Sequence, residues 1–483
     1  MSLPIVLQVL AILILILCGF MLVPTGIAAY LGESRELLSF ILSIVGAAVV
    51  AGTILFVLRR KNKQVLSTRG SFLLVTLSWI CASFLGCLPF YLSGAIPCLA
   101  DAFFETMSGF TTTGASILTH IEGMPRSLLF WRSLTHWLGG MGIVVLTVAV
   151  LPLLGIGGLQ LLRAEAPGPT TDKVTPRITE TAKILWLIYL GLTVVETALL
   201  MAGGMDLFDG LTHTFGTLAT GGFSPKNKSV GHYDSAYIDG VVTVFMLLAG
   251  MNFILHFKLI TGRFREAWKD TEFKAYIGIF LLASFGITLF LWGSFSGSFA
   301  RCFRFAAFQA ASILTTTGYA TTDFELWVFP AQILLFFLMF IGGCSGSTGG
   351  GIKVIRIVTL LKEGLIEMKH LIHPRGVFTM KIGGKSVHYR VVHTISGFFF
   401  LYILMLLATV VVVSTAGVDI TTSMATALVT VGNIGPGFGK IGPTDNYAFY
   451  PDYVKWFLSF AMMVGRLELY TVLVLLTPAF WRD

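Results

Sequence analysis

An all-α polytopic membrane fold is what this sequence predicts, and three observations predict it. Hydrophobic residues make up 55% of the chain and charged residues only 12%, at a mean hydropathy of +0.83, whereas soluble domains carry about a quarter charged residues. Apolar runs of about 20 residues, the length that crosses a hydrocarbon core, recur from one end to the other. Lysine and arginine collect in alternate connections between those runs.

In chain order the runs fall near residues 3–30, 37–58, 72–92, 131–154, 182–202, 237–259, 275–295, 326–352, 392–415 and 453–478, which predicts ten transmembrane helices. The first lacks a basic leader and a small-residue cleavage site, so it reads as a retained helix and not as a signal peptide. Of the 33 Lys and Arg residues, 23 fall on one side of these spans, in 59–69, 163–183, 258–274, 353–390 and at Arg482. The other side holds Arg35, Arg126, Arg132, Lys226, Lys228, Arg301, Arg304, Lys440 and Lys455, and Arg466 stands alone in mid-span. The positive-inside rule puts the first set and both termini in the cytoplasm. Topology thus accounts for the net charge of +8, and no nucleic-acid partner is needed. None of the six cysteines has C-x-x-C spacing. Only Cys98 and Cys302 fall in outward connections where a disulfide is conceivable.

Four outward connections carry a related phrase: FFETMSGFTTTGA (103–115), LTHTFGTLATGGF (211–223), AASILTTTGYATT (310–322) and MATALVTVGNIGP (424–436). Aligning one glycine in each brings Gly114, Gly221, Gly318 and Gly432 into register at intervals of about a hundred residues, too long for a solenoid repeat but suited to a helix, re-entrant loop, helix unit. A half-helix ending in Thr-Gly cannot cross the bilayer, and polar backbone at membrane depth is tolerated only inside protein or along a watery path. Asp101, Asp209 and Asp419 precede three of the half-helices as N-cap candidates. The third unit has Ser298, Arg301 and Arg304 there instead.

Half-helices whose C-termini face the membrane centre favour a cation there. Glycine beyond them can turn carbonyl oxygens toward a common axis, where they replace an ion's hydration shell. In this register the four segments are Thr112-Thr113-Gly114-Ala115, Ala219-Thr220-Gly221-Gly222, Thr316-Thr317-Gly318-Tyr319 and Thr430-Val431-Gly432-Asn433. A single Thr-Thr-Gly carries almost no information, being common in loops and at helix contacts. Four in matching positions carry much more.

These loops, together with LRAEAPGPTTDKVTPRITETAK (162–183), IGGCSGSTGGGIKVIR (341–356) and GRLELYTVLVLLTPAFWRD (465–483), resemble the Trk/Ktr/HKT superfamily of potassium transporters. Within it they resemble the TrkH family of bacterial membrane subunits, over essentially the whole chain. The resemblance implies a single-chain pore of four non-identical units and a homodimer in the bacterial cytoplasmic (inner) membrane. It implies K+ as the transported ion, no organic cofactor on this chain, and a cytoplasmic ring of RCK-type nucleotide-binding subunits (TrkA-like) as partner. In that family, glycine at the shared position goes with K+ selectivity, and serine in the first loop with sodium transport in some plant members. This chain departs at Ala219, where the others have threonine, and in continuing its fourth loop as Asn433-Ile434-Gly435, which implies an asymmetric filter. The resulting organisation is an N-terminal two-helix segment (1–70) followed by pore units 71–155, 156–262, 263–391 and 392–483.

The stretch IGGCSGSTGGGIK (341–353) interrupts an apolar run. A phosphate-binding loop needs G-x-x-x-x-G-K-[ST] between strand and helix, and neither the lysine's neighbours nor the flanks match. Gly342, Gly343, Cys344, Ser345, Gly346, Ser347, Thr348, Gly349, Gly350 and Gly351 make a poor helix, since each glycine costs ~1 kcal/mol relative to alanine. Read from the residues alone, the break is a movable segment ahead of Lys353 or a passive kink. The resemblance implies an intramembrane gating loop. Arg466 at mid-membrane depth needs a partner inside the protein, either carbonyls of the break or Glu196. A structural ion pair away from the path is the other reading. The segment after the break, KVIRIVTLLKEGLIEMKHLIH, predicts an amphipathic helix, followed by a hairpin turning at Gly383-Gly384. Its bases suit either anionic lipid or the regulatory subunit, for which 155–181 is the second expected contact.

Coupled symport of K+ with H+ or Na+ is the alternative to a gated pore, and calls for buried acids or histidines. Glu196, His136, His256 and Glu468 are sparse candidates without an evident relay. No metal-ligand pair, no nucleophile with its base and no nucleotide loop points to an enzyme, and no span carries the regularly spaced arginines of a voltage sensor.

Overall fold

The structure, a computed structural model, describes residues 3–59, 66–142, 178–293 and 298–482. Helices α1 (Leu3–Leu31) and α2 (Ser34–Leu58) form an antiparallel pair. Of α2, only Ser39, Phe40, Ser43 and Ala51 are buried, against α1 and its neighbours. Beyond its first turn, most of its remaining surface is apolar and exposed or half-buried, as a lipid-facing helix requires.

From there one order recurs four times: a long helix, a short buried helix, a turned-back segment, then a second helix. The first set is α3 (Thr68–Leu92), α4 (Leu99–Phe110) and α5 (Arg126–Gly140); the second is α6 (Ile178–Ala202), α7 (Leu207–Leu218) and α8 (Ala236–Ala249) with α9 (Phe253–Ile260). After the short α10 (Phe264–Trp268), the third comprises α11 (Thr271–Leu291), α12 (Phe299–Leu314), α13 (Phe329–Leu338) and α14 (Val354–Ile372). The fourth has α15 (Tyr389–Ser414), α16 (Ile420–Val431) and α17 (Asp452–Arg466) with α18 (Tyr470–Leu473). The units interlock in a circle. Helix α5 packs on α7 of the next unit, α8 on α12, and α17 returns to α4.

Six described helices are long and apolar enough to cross a membrane uninterrupted, and two more spans exist only as bent pairs. The expected run 237–259 turns by 103° between α8 and α9, and 453–478 by 114° beyond Arg466. Gly250 caps α8, and the Asn252 side chain accepts from Ile254 N at 2.8 Å to start α9 afresh. At the second bend Glu468 and Leu469 both take positive φ (57° and 54°), which no helix accommodates. The run 326–352 is α-helical only over Phe329–Leu338, and the second half of 131–154, from 143 on, lies outside the described residues. All four second helices therefore stop at or near a glycine: Gly140, Gly250, Gly342 and Gly465. Sequence reasoning identified only the third, where glycines are densest. The hairpin at Gly383-Gly384 is a two-residue ladder, Lys381–Ile382 on Lys385–Ser386, with both glycines at positive φ.

Helix capping corrects two expectations. Asp419 is the N-cap of α16, accepting from Thr422 N at 3.1 Å. Asp209, however, sits in the first turn of α7, capped by Asp206, and Asp101 in the first turn of α4, behind Cys98. Both carboxylates lie three residues past the cap, where they still favour the dipole's positive end. All six cysteines are free; Cys302 is buried in α12.

Candidate functional site

The short helices α4, α7, α12 and α16 end alike. Beyond each C-cap comes a non-glycine residue in the left-handed region: Thr112 (φ 53°), Thr220 (54°), Thr316 (60°) and Asn433 (54°). The next residue donates its N–H back to the helix: Thr113 to Ser108 O, Gly221 to Gly216 O, Thr317 to Ser312 O and Ile434 to Val429 O, at 2.8–2.9 Å. A left-handed glycine follows: Gly114 (φ 80°), Gly222 (79°), Gly318 (83°) and Gly435 (97°). Positive φ at a bulky residue is strained, so four matching instances define the register independently of residue identity.

That register corrects the sequence alignment in two loops. The equivalents of Gly114 and Gly318 are Gly222 and Gly435, not Gly221 and Gly432. The second segment is Thr220-Gly221-Gly222-Phe223, with Ala219 as the C-cap of α7. The fourth is Asn433-Ile434-Gly435-Pro436. Thr430 and Val431 are still helical, and Gly432 is the right-handed C-cap of α16. Identity misled the alignment because asparagine, which tolerates the left-handed region, takes in the fourth loop the place threonine holds in the others.

The four segments close on one another. A Cβ on Gly114 would fall 2.2 Å from Gly221 O, one on Gly222 2.1 Å from Thr317 O, one on Gly318 2.1 Å from Ile434 O, and one on Gly435 2.7 Å from Thr113 O. Each glycine abuts the carbonyl that precedes the next unit's glycine, and the fourth returns to the first. Only glycine fits such an approach. No charged side chain belongs to the ring, so its polarity is that of carbonyls and of four helix C-termini, each worth about half a negative charge.

Ties of different chemistry brace the ring from behind. Asn433 Nδ2 donates to Thr113 Oγ1 at 2.9 Å and to Met462 O at 2.9 Å. Tyr319 OH donates to His213 O at 2.9 Å and Phe223 O at 3.2 Å. Glu325 Oε1 accepts from Gly439 N at 2.5 Å. Ala115 is buried beside Gly114.

The glycine-rich break lies directly against the ring. Gly350 N donates to Thr316 Oγ1 at 2.7 Å, Thr220 Oγ1 to Thr348 Oγ1 at 3.3 Å, and a Cβ on Gly350 would lie 2.6 Å from Gly432 O. The loop thus touches three of the four units. Its ends are joined by Gly342 N to Ile352 O at 2.8 Å, and Cys344 N takes the carbonyl that Gly250 leaves free at the α8 bend, at 2.8 Å. Lys353 Nζ folds back onto Gly349 O. Glu272, at the start of α11, holds both sides of the break, its Oε1 accepting from Ser345 N at 2.7 Å and Ile355 N at 3.0 Å. Gly343, Gly346 and Gly351 sit within this loop, with Gly346 O accepting from Phe253 N and Ser347 Oγ donating to Cys344 O.

Arg466 meets the loop. Its Nη1 donates to Thr348 O at 2.5 Å and its Nη2 to Gly139 O and Gly140 O at 2.8 and 3.0 Å. A guanidinium on the last carbonyls of α5 neutralises a helix C-terminus, so one side chain links the broken helices of the first, third and fourth units. Glu468, two residues on, pairs instead with Arg356 of α14. Sequence reasoning had placed Arg356 only among loop bases.

This arrangement has close relatives. The family model of TrkH, described as a cation transport protein, matches residues 39–295 and 296–482. The chain belongs to the TrkH family. It is 41% identical over 480 residues to the Trk system potassium uptake protein TrkH of Escherichia coli (strain K12), covering 99% of each chain. It is 42% identical over 486 residues to the protein of that name from Halomonas elongata, covering all of both. The crystal structure of the potassium transporter TrkH from Vibrio parahaemolyticus superposes with a TM-score of 0.89 at 38% identity, over 100% of both chains. As a TrkH-family chain it is a multi-pass membrane transporter of cations, not an enzyme.

Proposed function

We propose that this chain is the K+-conducting subunit of a Trk-type uptake system in the bacterial inner membrane. Dehydrated K+ passes through the ring of Thr113, Gly221, Thr317 and Ile434 carbonyls, and α4, α7, α12 and α16 act as pore helices. The observation that carries this reading is the cyclic contact of Gly114, Gly222, Gly318 and Gly435 with those oxygens. Backbone oxygens without formal charge suit a large monovalent cation that must also leave.

The 342–351 loop is the gate, latched by Arg466 beneath the ring. A positive charge there also raises the barrier to a cation while the loop is in place. Helix α14 leaves the loop directly and carries exposed Leu361, Leu365, Met368, Leu371 and Ile372. We assign this face, with the 155–181 segment, of which 155–177 lies outside the described residues, to a cytoplasmic RCK-type (TrkA-like) subunit. Both termini are cytoplasmic, the membrane form is a homodimer, and the membrane potential drives uptake.

Proton- or sodium-coupled symport is the second reading, favoured by Glu196. This carboxylate is fully buried in α6 and forms no ion pair among the described residues. Tracer uptake into liposomes bearing the purified chain separates the two. Flux set by the K+ gradient and membrane potential, with K+ favoured over Na+, supports the pore. Flux that requires an imposed pH or Na+ gradient and is lost in Glu196→Gln supports symport.

A further inference from the structure

One feature behind the ring is unlike the other ties. Glu105 of α4 and Arg132 of α5 form an ion pair at 2.6 Å with side chains 1% and 3% exposed. Burying two charges this completely usually gains little stability over apolar packing, so the pair needs another account. Its partners supply one. Glu105 Oε1 also accepts from Ser116 Oγ at 2.9 Å, and Oε2 from Ile117 N at 2.8 Å, so the carboxylate holds the segment leaving Gly114. Arg132 Nη1 donates to Ser224 O at 3.1 Å, and its guanidinium lies 3.5 Å from the Phe223 ring centroid, so the cation holds the segment leaving Gly222. Ser116 O in turn accepts from Tyr447 N of the fourth unit at 2.8 Å.

We propose that Glu105 and Arg132 are positioning residues for ion selectivity, an electrostatic brace that fixes the spacing between the first and second carbonyls of the ring. The proposal rests on the filter reading above. The planar guanidinium fork meets a carboxylate, a carbonyl and a ring face in fixed directions, which an ammonium cannot do. A buried hydrogen-bonded network of this kind rigidifies what it touches. Tension or slack in it therefore changes the distance between Thr113 O and Gly221 O without touching the ion.

The test uses the full chain in liposomes, with uptake of radioactive rubidium competed by K+ or by Na+. Glu105→Gln and Arg132→Gln are each expected to reduce the K+-over-Na+ preference by about tenfold, equivalent to ~1.4 kcal/mol. Arg132→Lys is expected to restore only part of it. Loss of folded protein lowers uptake of every ion alike, so the ratio isolates positioning from mere stability. Should a single variant fail to fold, the charge-neutral double variant Glu105→Gln/Arg132→Gln carries the test: an altered ratio supports the brace, and the parent ratio overturns it. Gly222→Ala measured alongside separates the two ideas. A ratio that shifts in Gly222→Ala but not in the pair overturns the brace and leaves the filter standing; a ratio that shifts in neither overturns both.

Discussion

Replacing Gly222 by alanine tests the ring at one of its two tightest approaches. Two costs arise together. The backbone at φ 79° charges an L-residue about 1–2 kcal/mol. The new methyl would lie 2.1 Å from Thr317 O and 3.1 Å from Gly318 C, so on the order of 1 Å of movement is needed to reach ordinary contact. Binding constellations tolerate only about 0.5 Å before their selectivity degrades. The displaced atom is one of the four oxygens proposed to coordinate the ion, so the damage should appear in discrimination before it appears in folding. In proteoliposomes the K+/Na+ uptake ratio should fall at least about tenfold, equivalent to ~1.4 kcal/mol, while the variant still elutes as the parent does. Gly191→Ala is the control: its Cβ would meet nothing within 4 Å on α6, and alanine in a helix is neutral or slightly stabilising. A folded Gly222→Ala with the parent ratio would refute the assignment of the ring as the filter.

Three further outcomes follow from the same contacts. Arg466→Ala removes the guanidinium from Thr348, Gly139 and Gly140, and charge-assisted bonds are worth about 1.5–3 kcal/mol each; unassisted leak should rise about tenfold or more, and unchanged flux would sink the latch. Glu272→Ala strands Ser345 N and Ile355 N, at about 1–3 kcal/mol per orphaned donor, and should likewise raise leak, read as tracer flux without a regulatory subunit. Asp419→Ala should lower the thermal midpoint modestly, near the lower end of the ~0.5–2 kcal/mol range for a lost cap because the site is exposed, with Asp419→Asn close to the parent. Donation from the Thr422 hydroxyl and then its N–H holds the Asp419 carboxyl below the usual carboxylate range. Its stabilisation is therefore present above that range and is lost as pH falls through the folded-state value. A difference between parent and Asp419→Ala that grows on acidification would contradict this.

How much of this was legible in the sequence depends on what kind of signal each part leaves. Apolar length marks the long helices, and the repeated Thr-Gly phrase marks the four turned-back segments. Register left a weaker trace, because it is set by helix C-caps and backbone handedness, and Thr220 and Asn433 satisfy that requirement with different side chains. The mid-depth arginine was conspicuous by its desolvation cost, and its contact with Thr348 O lies among the carbonyls expected of it. Glu272 left no mark at all: an acid at a helix start is ordinary, and only the tertiary structure brings it to both ends of the break. The bends after Gly250 and Gly465 were hidden because a single glycine inside an apolar run does not distinguish a bent span from a straight one.

The four ring oxygens come from one covalent chain, each with its own supporting chemistry. In an assembly of identical subunits a point substitution appears at every corner at once. Here it alters a single corner and leaves three native, so the contribution to ion discrimination proposed for each oxygen can be measured separately, by one codon change in one gene.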